Sequence, residues 1–226
     1  MKRVISIIKT CIFRVMPRKK QFTSIYKHHI WGGIGDENYS GPGSYYEPIV
    51  NAFVTEVKRI KEDYGISTCV EIGCGDFNVA QMYAGLFEEY TGIDIVDSII
   101  KENHRRYGSE SIHFAQMDAV TDVLPDAELL VIRQVLQHLN NAEIKRIISK
   151  FGNYNYILIG ETQYKKQLAE NCNKDIDRSR NTRRNKKSGV YLEEPPFSLN
   201  TQIMNVTEYS ETVDFVVYFI DSSMLR

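Results

Sequence analysis

Two kinds of apolar pattern take turns between residues 67 and 160. Short β-rich runs at 67–72, 90–94, 112–117, 128–133 and 154–160 alternate with amphipathic helical stretches near 77–88, 97–107 and 141–150. Such alternation builds right-handed βαβ units and a parallel sheet with helices on both faces. Ile203–Tyr209 and Val213–Asp221 differ, being two β-rich runs joined by a short polar turn, and read as an antiparallel hairpin. The expected architecture is α/β and doubly wound, a mainly parallel sheet with an antiparallel C-terminal strand pair.

At 226 residues the chain accommodates one such domain with peripheral additions. Val50 to Tyr64 reads as an amphipathic helix before the first strand, with Gly65 placed to cap it. Residues 25–48 precede it as a loop whose Gly, Pro, Ser and aromatics supply turn chemistry. After the fifth strand, 163–188 holds nine basic against three acidic residues and few large apolar ones, the composition of an exposed, mobile insertion.

Charge is unevenly distributed. The chain has 28 Lys+Arg and 29 Asp+Glu, but residues 1–20 hold seven of the basic residues and no acid, leaving 21 basic against 29 acidic in the rest. Read as a helix, residues 2–16 gather Val4, Ile5, Ile8, Cys11, Ile12 and Val15 on one side, with Lys2, Lys9 and Arg14 opposite. The expected division is a basic amphipathic helix over 1–20 and the main folded domain over 21–226. The stretch is too short and too interrupted by charge to span a bilayer, and no small-residue cleavage site follows it, so neither anchor nor signal peptide is expected. Attachment to an anionic membrane surface and packing on the domain both remain open. Four cysteines without CxxC spacing favour a reducing compartment. The expected location is cytoplasmic, with peripheral contact at the inner face of the membrane through residues 2–16.

The junction of first strand and helix carries the strongest signal: Cys69-Val70-Glu71-Ile72-Gly73-Cys74-Gly75-Asp76-Phe77. Glycines there let the backbone approach a ligand, and a helix N-terminus would offer free N–H groups. A dinucleotide fingerprint would need a third glycine where Asn78 stands, and would lack the acid at Glu71. The segment instead resembles motif I of class I S-adenosylmethionine (SAM)-dependent methyltransferases, and the resemblance continues at three later strand ends. They are Thr91-Gly92-Ile93-Asp94, Phe114-Ala115-Gln116-Met117-Asp118-Ala119, and Leu129 to Leu139 through Arg133 and Gln134. The resemblance implies a Rossmann-like fold and SAM as cofactor. It implies that Glu71, Gly73, Cys74, Gly75 and Phe77 border the methionine part, that Asp94 and Ile95 meet the ribose, that Asp118 and Ala119 meet the adenine, and that Arg133 and Gln134 follow the fourth strand. Phe77 departs from the family, many of whose members have a glycine there. Asp97 reads as the N-cap of helix 98–107.

His138 is the group titrating near neutrality placed after the fourth strand, either as general base or as part of the turn's structure. Trp31 and Tyr45, in a Gly-rich aromatic loop, form a lid over the site or a rigid surface loop. Arg180, Arg183 and Arg184 of the basic insertion hold an anionic acceptor or form a solvated surface, and Tyr191 and Phe197 follow as apolar walls. His28 and His29 lack further ligands at matched spacing, so no metal is expected. The Trp-Gly loop, the Ser-Gly-Pro-Gly-Ser loop and the Gly-Cys-Gly-Asp-Phe-Asn turn together resemble small bacterial methyltransferases of capsule and surface-glycan pathways. That resemblance implies O-methylation of a sugar, phosphorylated sugar or nucleotide-linked precursor. The competing classes are a nucleic-acid methyltransferase, disfavoured by the acidic body and by the missing Asn/Asp-Pro-Pro-Tyr/Phe motif, and a non-catalytic SAM-binding module.

Overall fold

The structure, a computed structural model, describes residues 16–33, 38–177 and 182–225. The expected helix over 2–16 lies outside them except for its last residue, and so does Arg180. Seven strands form one sheet in the order β3-β2-β1-β4-β5-β7-β6. They are β1 Thr68–Ile72, β2 Glu89–Asp94, β3 Ile112–Gln116, β4 Leu129–Arg133, β5 Tyr156–Tyr164, β6 Gln202–Ser210 and β7 Val213–Asp221. The first five are parallel; β7 runs antiparallel to both β5 and β6, completing the expected final pair.

Strands covered on both faces must be apolar on both, which is why β4 reads as an unbroken run with every residue buried. Helices α1 Arg18–Lys27, α2 Glu47–Tyr64, α3 Asp97–Tyr107 and α4 Asn141–Ile148 accompany the sheet. Helix α2 buries Ile49, Phe53, Val57 and Ile60 in the core on one face of the sheet, each worth roughly 1.5–3 kcal/mol relative to exposure. Gly65 ends it in the left-handed conformation (φ 62°), as expected. On the other face Ile144 and Ile147 of α4 pack with Leu130, Ile132 and Val190. Asn140 and Glu143 close a capping box at the start of α4.

Three expectations on local structure are corrected. No α-helix follows β1: the stretch 77–88 forms two short 3-10 turns, Ala80–Met82 and Ala84–Leu86, and Phe77 at φ 63° lies outside helical backbone. Asp97 is the first residue of α3 rather than its cap, and it pairs with Lys101 one turn on at 2.8 Å. Strand β5 continues past 160 to Tyr164, because β7 pairs with it along all nine residues. Helix α1 crosses the expected 20/21 boundary and is tied to the domain, Arg18 to Asp118 and Glu143, Lys19 to Gln116. Among the described residues no helix is long and apolar enough to cross a membrane.

Candidate active site

Five parallel strands end on one edge of the sheet, and a cavity of about 280 Å³ lies there, near the lower end of the ~300–1,000 Å³ usual for small-molecule sites. The first wall is the turn after β1. Gly73 (φ 71°) and Gly75 (φ 52°) adopt left-handed conformations that a side chain would strain. Their amides are committed within the protein: Gly73 and Cys74 donate to Ile93 O, Gly75 donates to Asp94 Oδ2 at 3.3 Å, and Asp76 donates to Ser40 Oγ. With no helix behind it, this turn is no anion cradle. Glu71 borders the cavity but points its carboxylate into the protein, where Oε2 accepts from the Tyr83 and Tyr90 hydroxyls at 2.7 and 2.6 Å. Burial raises its pKa against the pull of those phenols and of Arg133.

At the end of β2, Asp94 offers a buried carboxylate whose Oδ1 accepts from Val96 N at 2.9 Å. Burial pushes its pKa up to about 6, although the backbone donors and the loss of solvent act in opposite directions. Val96 N reaches Oδ1 and Gly75 N reaches Oδ2, which leaves lone pairs on the carboxylate for further donors. Asp118, past β3, also borders the cavity, but Arg18 Nε donates to both of its oxygens at 3.1 and 2.9 Å while Nη1 reaches Glu143 Oε1 at 2.7 Å. An adenine amino group at Asp118 would compete with Arg18. At the end of β4, Arg133 lies buried beside the rings of Phe53 and Phe215, its carbon centre 5.8 and 5.7 Å from their centroids, and Nη2 donates to Gly43 O at 2.7 Å. Burial lowers its pKa, and Tyr83 and Glu71 counteract that most.

The roof comes from the N-terminal part. Ser40 and Asp76 exchange hydrogen bonds, Ser40 N to Asp76 Oδ2 at 2.9 Å and Asp76 N to Ser40 Oγ at 2.8 Å. Tyr26 meets Ser40 Oγ at 3.0 Å, and Asn78 Nδ2 donates to Ser44 O at 2.6 Å. Trp31 lies 4.9 Å from the His138 ring at an interplanar angle of 36°, so the loop and the turn after β4 meet through two rings.

The structure therefore brings together at one cavity most of the expected residues: Gly73, Cys74 and Gly75; Asp94 and Ile95; Asp118 and Ala119; Glu71, Arg133 and Gln134; His138, Trp31 and Arg184. Five others are placed elsewhere. Phe77 is buried against Tyr90, Tyr107 and Phe114 beneath the turn. Tyr45 stacks on Tyr39 and donates to Asp76, bracing the loop. Arg183, expected to hold an acceptor, is 0% exposed and donates to the carbonyls of Lys174 and Leu139. Tyr191 is fully buried with its hydroxyl on Tyr164 O, and Phe197 packs in the core, so neither walls the cavity. The insertion is correspondingly less exposed than its composition implied, with Asn173, Arg183 and Ser188 all buried. Sequence reasoning missed Arg18 and Tyr26, which sit in the helix that the roof grows from, and Glu161, a lone acid in a strand continuation. Among the described residues no group of three His, Cys, Asp or Glu could hold a metal ion.

Residues 70–152 match a family model described as a methyltransferase domain. No curated protein matches the chain. Solved structures share its fold at low identity. The N-methyltransferase NodS from Bradyrhizobium japonicum WM9, in complex with S-adenosyl-L-homocysteine, superposes with a TM-score of 0.56 at 16% identity, over 76% of this chain and 87% of its own. The DhpI–S-adenosylhomocysteine (SAH) complex gives 0.55 at 12% identity, over 89% of this chain and 94% of that one. A SAM-dependent methyltransferase from Clostridium acetobutylicum ATCC 824 gives 0.54 at 11% identity, over 89% and 98%. The sheet order, with its single reversed strand, is thus that of the Rossmann-like methyltransferase fold. The methyltransferase-domain match over residues 70–152 and this fold together support a SAM-dependent methyltransferase with SAM as its cofactor. The donor set fits: Asp94 presents a buried two-oxygen acceptor suited to a ribose diol in a cavity of adequate size.

Proposed function

We propose that the enzyme O-methylates a small anionic acceptor, a sugar, phosphorylated sugar or nucleotide-linked precursor of surface-glycan biosynthesis. The observation that carries this reading is Arg184, the described guanidinium of the basic insertion that borders the cavity. It lies over the Tyr209 ring at 5.3 Å and donates Nε to Thr182 Oγ1 at 3.1 Å, so its fork is held in place before any ligand arrives. A preset guanidinium suits phosphate and carboxylate oxygens. The Trp31 ring, beside His138, offers an aromatic face of the kind a sugar face packs on.

Asp94 would hold the ribose of the cofactor, and Arg133, Gln134 and the turn at Gly73 to Gly75 would border its amino-acid part. Bound SAM supplies an electrophilic methyl on a sulfonium. Transfer by in-line displacement depends chiefly on alignment, which the strand-end residues and the roof provide while excluding water. His138 accepts the proton that the acceptor hydroxyl gives up.

A panel of sugar phosphates and nucleotide sugars with labelled SAM tests the reading. Label should pass to an anionic member of the panel, and Arg184→Gln should raise the KM for that acceptor about tenfold with SAH affinity unchanged. Transfer only to neutral acceptors, or an unaltered KM in the variant, would remove the anionic glycan assignment.

A further inference from the structure

The backbone leaving β4 makes a tight excursion, Gln134 to Leu139, that carries His138. Gln134 starts it at φ 55°, and Leu136–His138 form a 3-10 turn. Side chains from two other segments grip this excursion at both ends. Glu161 of β5, 0% exposed, accepts from Leu136 N through Oε1 at 2.7 Å and from Gln137 N through Oε2 at 3.3 Å. Its neighbour Thr162 donates Oγ1 to Gln137 Oε1 at 2.8 Å. At the exit, Arg183 of the insertion donates Nη2 to Leu139 O at 2.7 Å while Nη1 holds Lys174 O at 2.7 Å.

Neither Glu161 nor Arg183 borders the cavity, so neither is placed to touch cofactor or acceptor. A carboxyl group and a guanidinium buried this completely are costly, and apolar side chains of similar volume would fill the space at less expense. What apolar side chains could not do is bind the two amides at the entry and the carbonyl at the exit. The His138 ring is aimed by that backbone, with Trp31 at 4.9 Å and Phe22 edge-on at 6.4 Å.

We propose that Glu161 and Arg183 are positioning residues, holding the Gln134 to Leu139 backbone so that the His138 ring stays against Trp31 at the wall of the cavity. The role rests on the reading above only in that His138 faces the acceptor. Through Arg183 the basic insertion contributes to the site indirectly, by clamping the turn that carries His138, while Arg184 one residue on faces the cavity itself.

Trp31 is the only tryptophan of the chain, so its fluorescence reports on the ring contact without any acceptor. The full chain is compared with Glu161→Gln, Arg183→Met and His138→Ala, and with each of the first two combined with His138→Ala. Gln at 161 keeps the volume but has one acceptor oxygen for two amides. Glu161→Gln and Arg183→Met should shift Trp31 emission in the direction of His138→Ala, add nothing once His138 is gone, and leave SAH affinity close to wild type by calorimetry. Arg183→Lys, which retains a donor, should return the emission part of the way. If either of the first two fails to fold, Thr162→Val decides, with a smaller shift in the same direction that again vanishes without His138. Unchanged emission, or equal shifts with and without His138, would overturn the positioning role. An acceptor panel that fails while these shifts appear would instead remove only the glycan reading.

Discussion

Phe77 holds a left-handed backbone (φ 63°) at a position where glycine would be strain-free. The conformation costs on the order of 1–2 kcal/mol for a residue with a side chain. Against that stands a ring fully buried among Tyr90, Tyr107 and Phe114, and removing such a ring costs about 3–5 kcal/mol. Packing therefore outweighs strain, and Phe77→Gly is expected to destabilise the protein by about 1–4 kcal/mol in urea unfolding despite relieving the backbone. A variant as stable as wild type would show that the turn, rather than the aromatic cluster, dictates this residue. The same residue marks where sequence reasoning is weakest. A Gly-rich turn announces itself through composition, but whether the next side chain lines the ligand or the core depends on a dihedral that the sequence does not display.

At the scale of elements, the strands were legible because burial on both faces forces long apolar runs, and β4 could be nothing else. The continuation of β5 was not legible, since Glu161, Thr162 and Gln163 look like a solvated loop until β7 is laid beside them. Arg183 was misread for a related reason: among so many basic neighbours, nothing in the sequence marks the one that turns inward. Glu161 also ties this part of the fold to pH. Burial pushes its carboxyl up to about 8, against the pull of the Leu136 and Gln137 amides and of Arg183, from an unfolded value near 4.3. The native state then holds this proton more tightly than the unfolded chain. Its stabilising contribution is complete below about pH 4.3, declines as pH rises, and is lost above about 8. Glu161→Gln removes that dependence, so moving from pH 5 to pH 8 should change the thermal midpoint of the variant relative to wild type in the variant's favour. Midpoints that keep a constant separation over that range would place the ionisation of Glu161 elsewhere.

For the molecule as a whole, the order of strand ends explains why a linear series of acids and glycines maps onto one cavity: successive parallel strands deliver Asp94, Gly73 and Arg133 to the same edge. The charge division works at the same scale. Helix α1 anchors its end of the basic arm through Arg18, which is bound to Asp118 and Glu143 at the cavity wall. We propose that residues 2–16 bring the enzyme to anionic membrane surfaces, given seven positive charges in the first twenty residues and an apolar stripe. In sedimentation with acidic-lipid vesicles the full chain should pellet and a version lacking residues 2–16 should not, with the difference shrinking as salt rises. Equal pelleting would assign the arm to some other role.

The account as a whole stands on the cofactor occupying the cavity at these strand ends with Asp94 as an acceptor for its ribose. Titration calorimetry of S-adenosylhomocysteine into the wild-type chain and into Asp94→Ala tests this without knowledge of the methyl acceptor. The expected result is one site per chain in the wild type, and a loss of about 1.5–3 kcal/mol in the variant, the range for hydrogen bonds to a charged group and equal to roughly ten- to a hundredfold in affinity. Absence of binding to the wild type, or equal affinity in the two proteins, would contradict it.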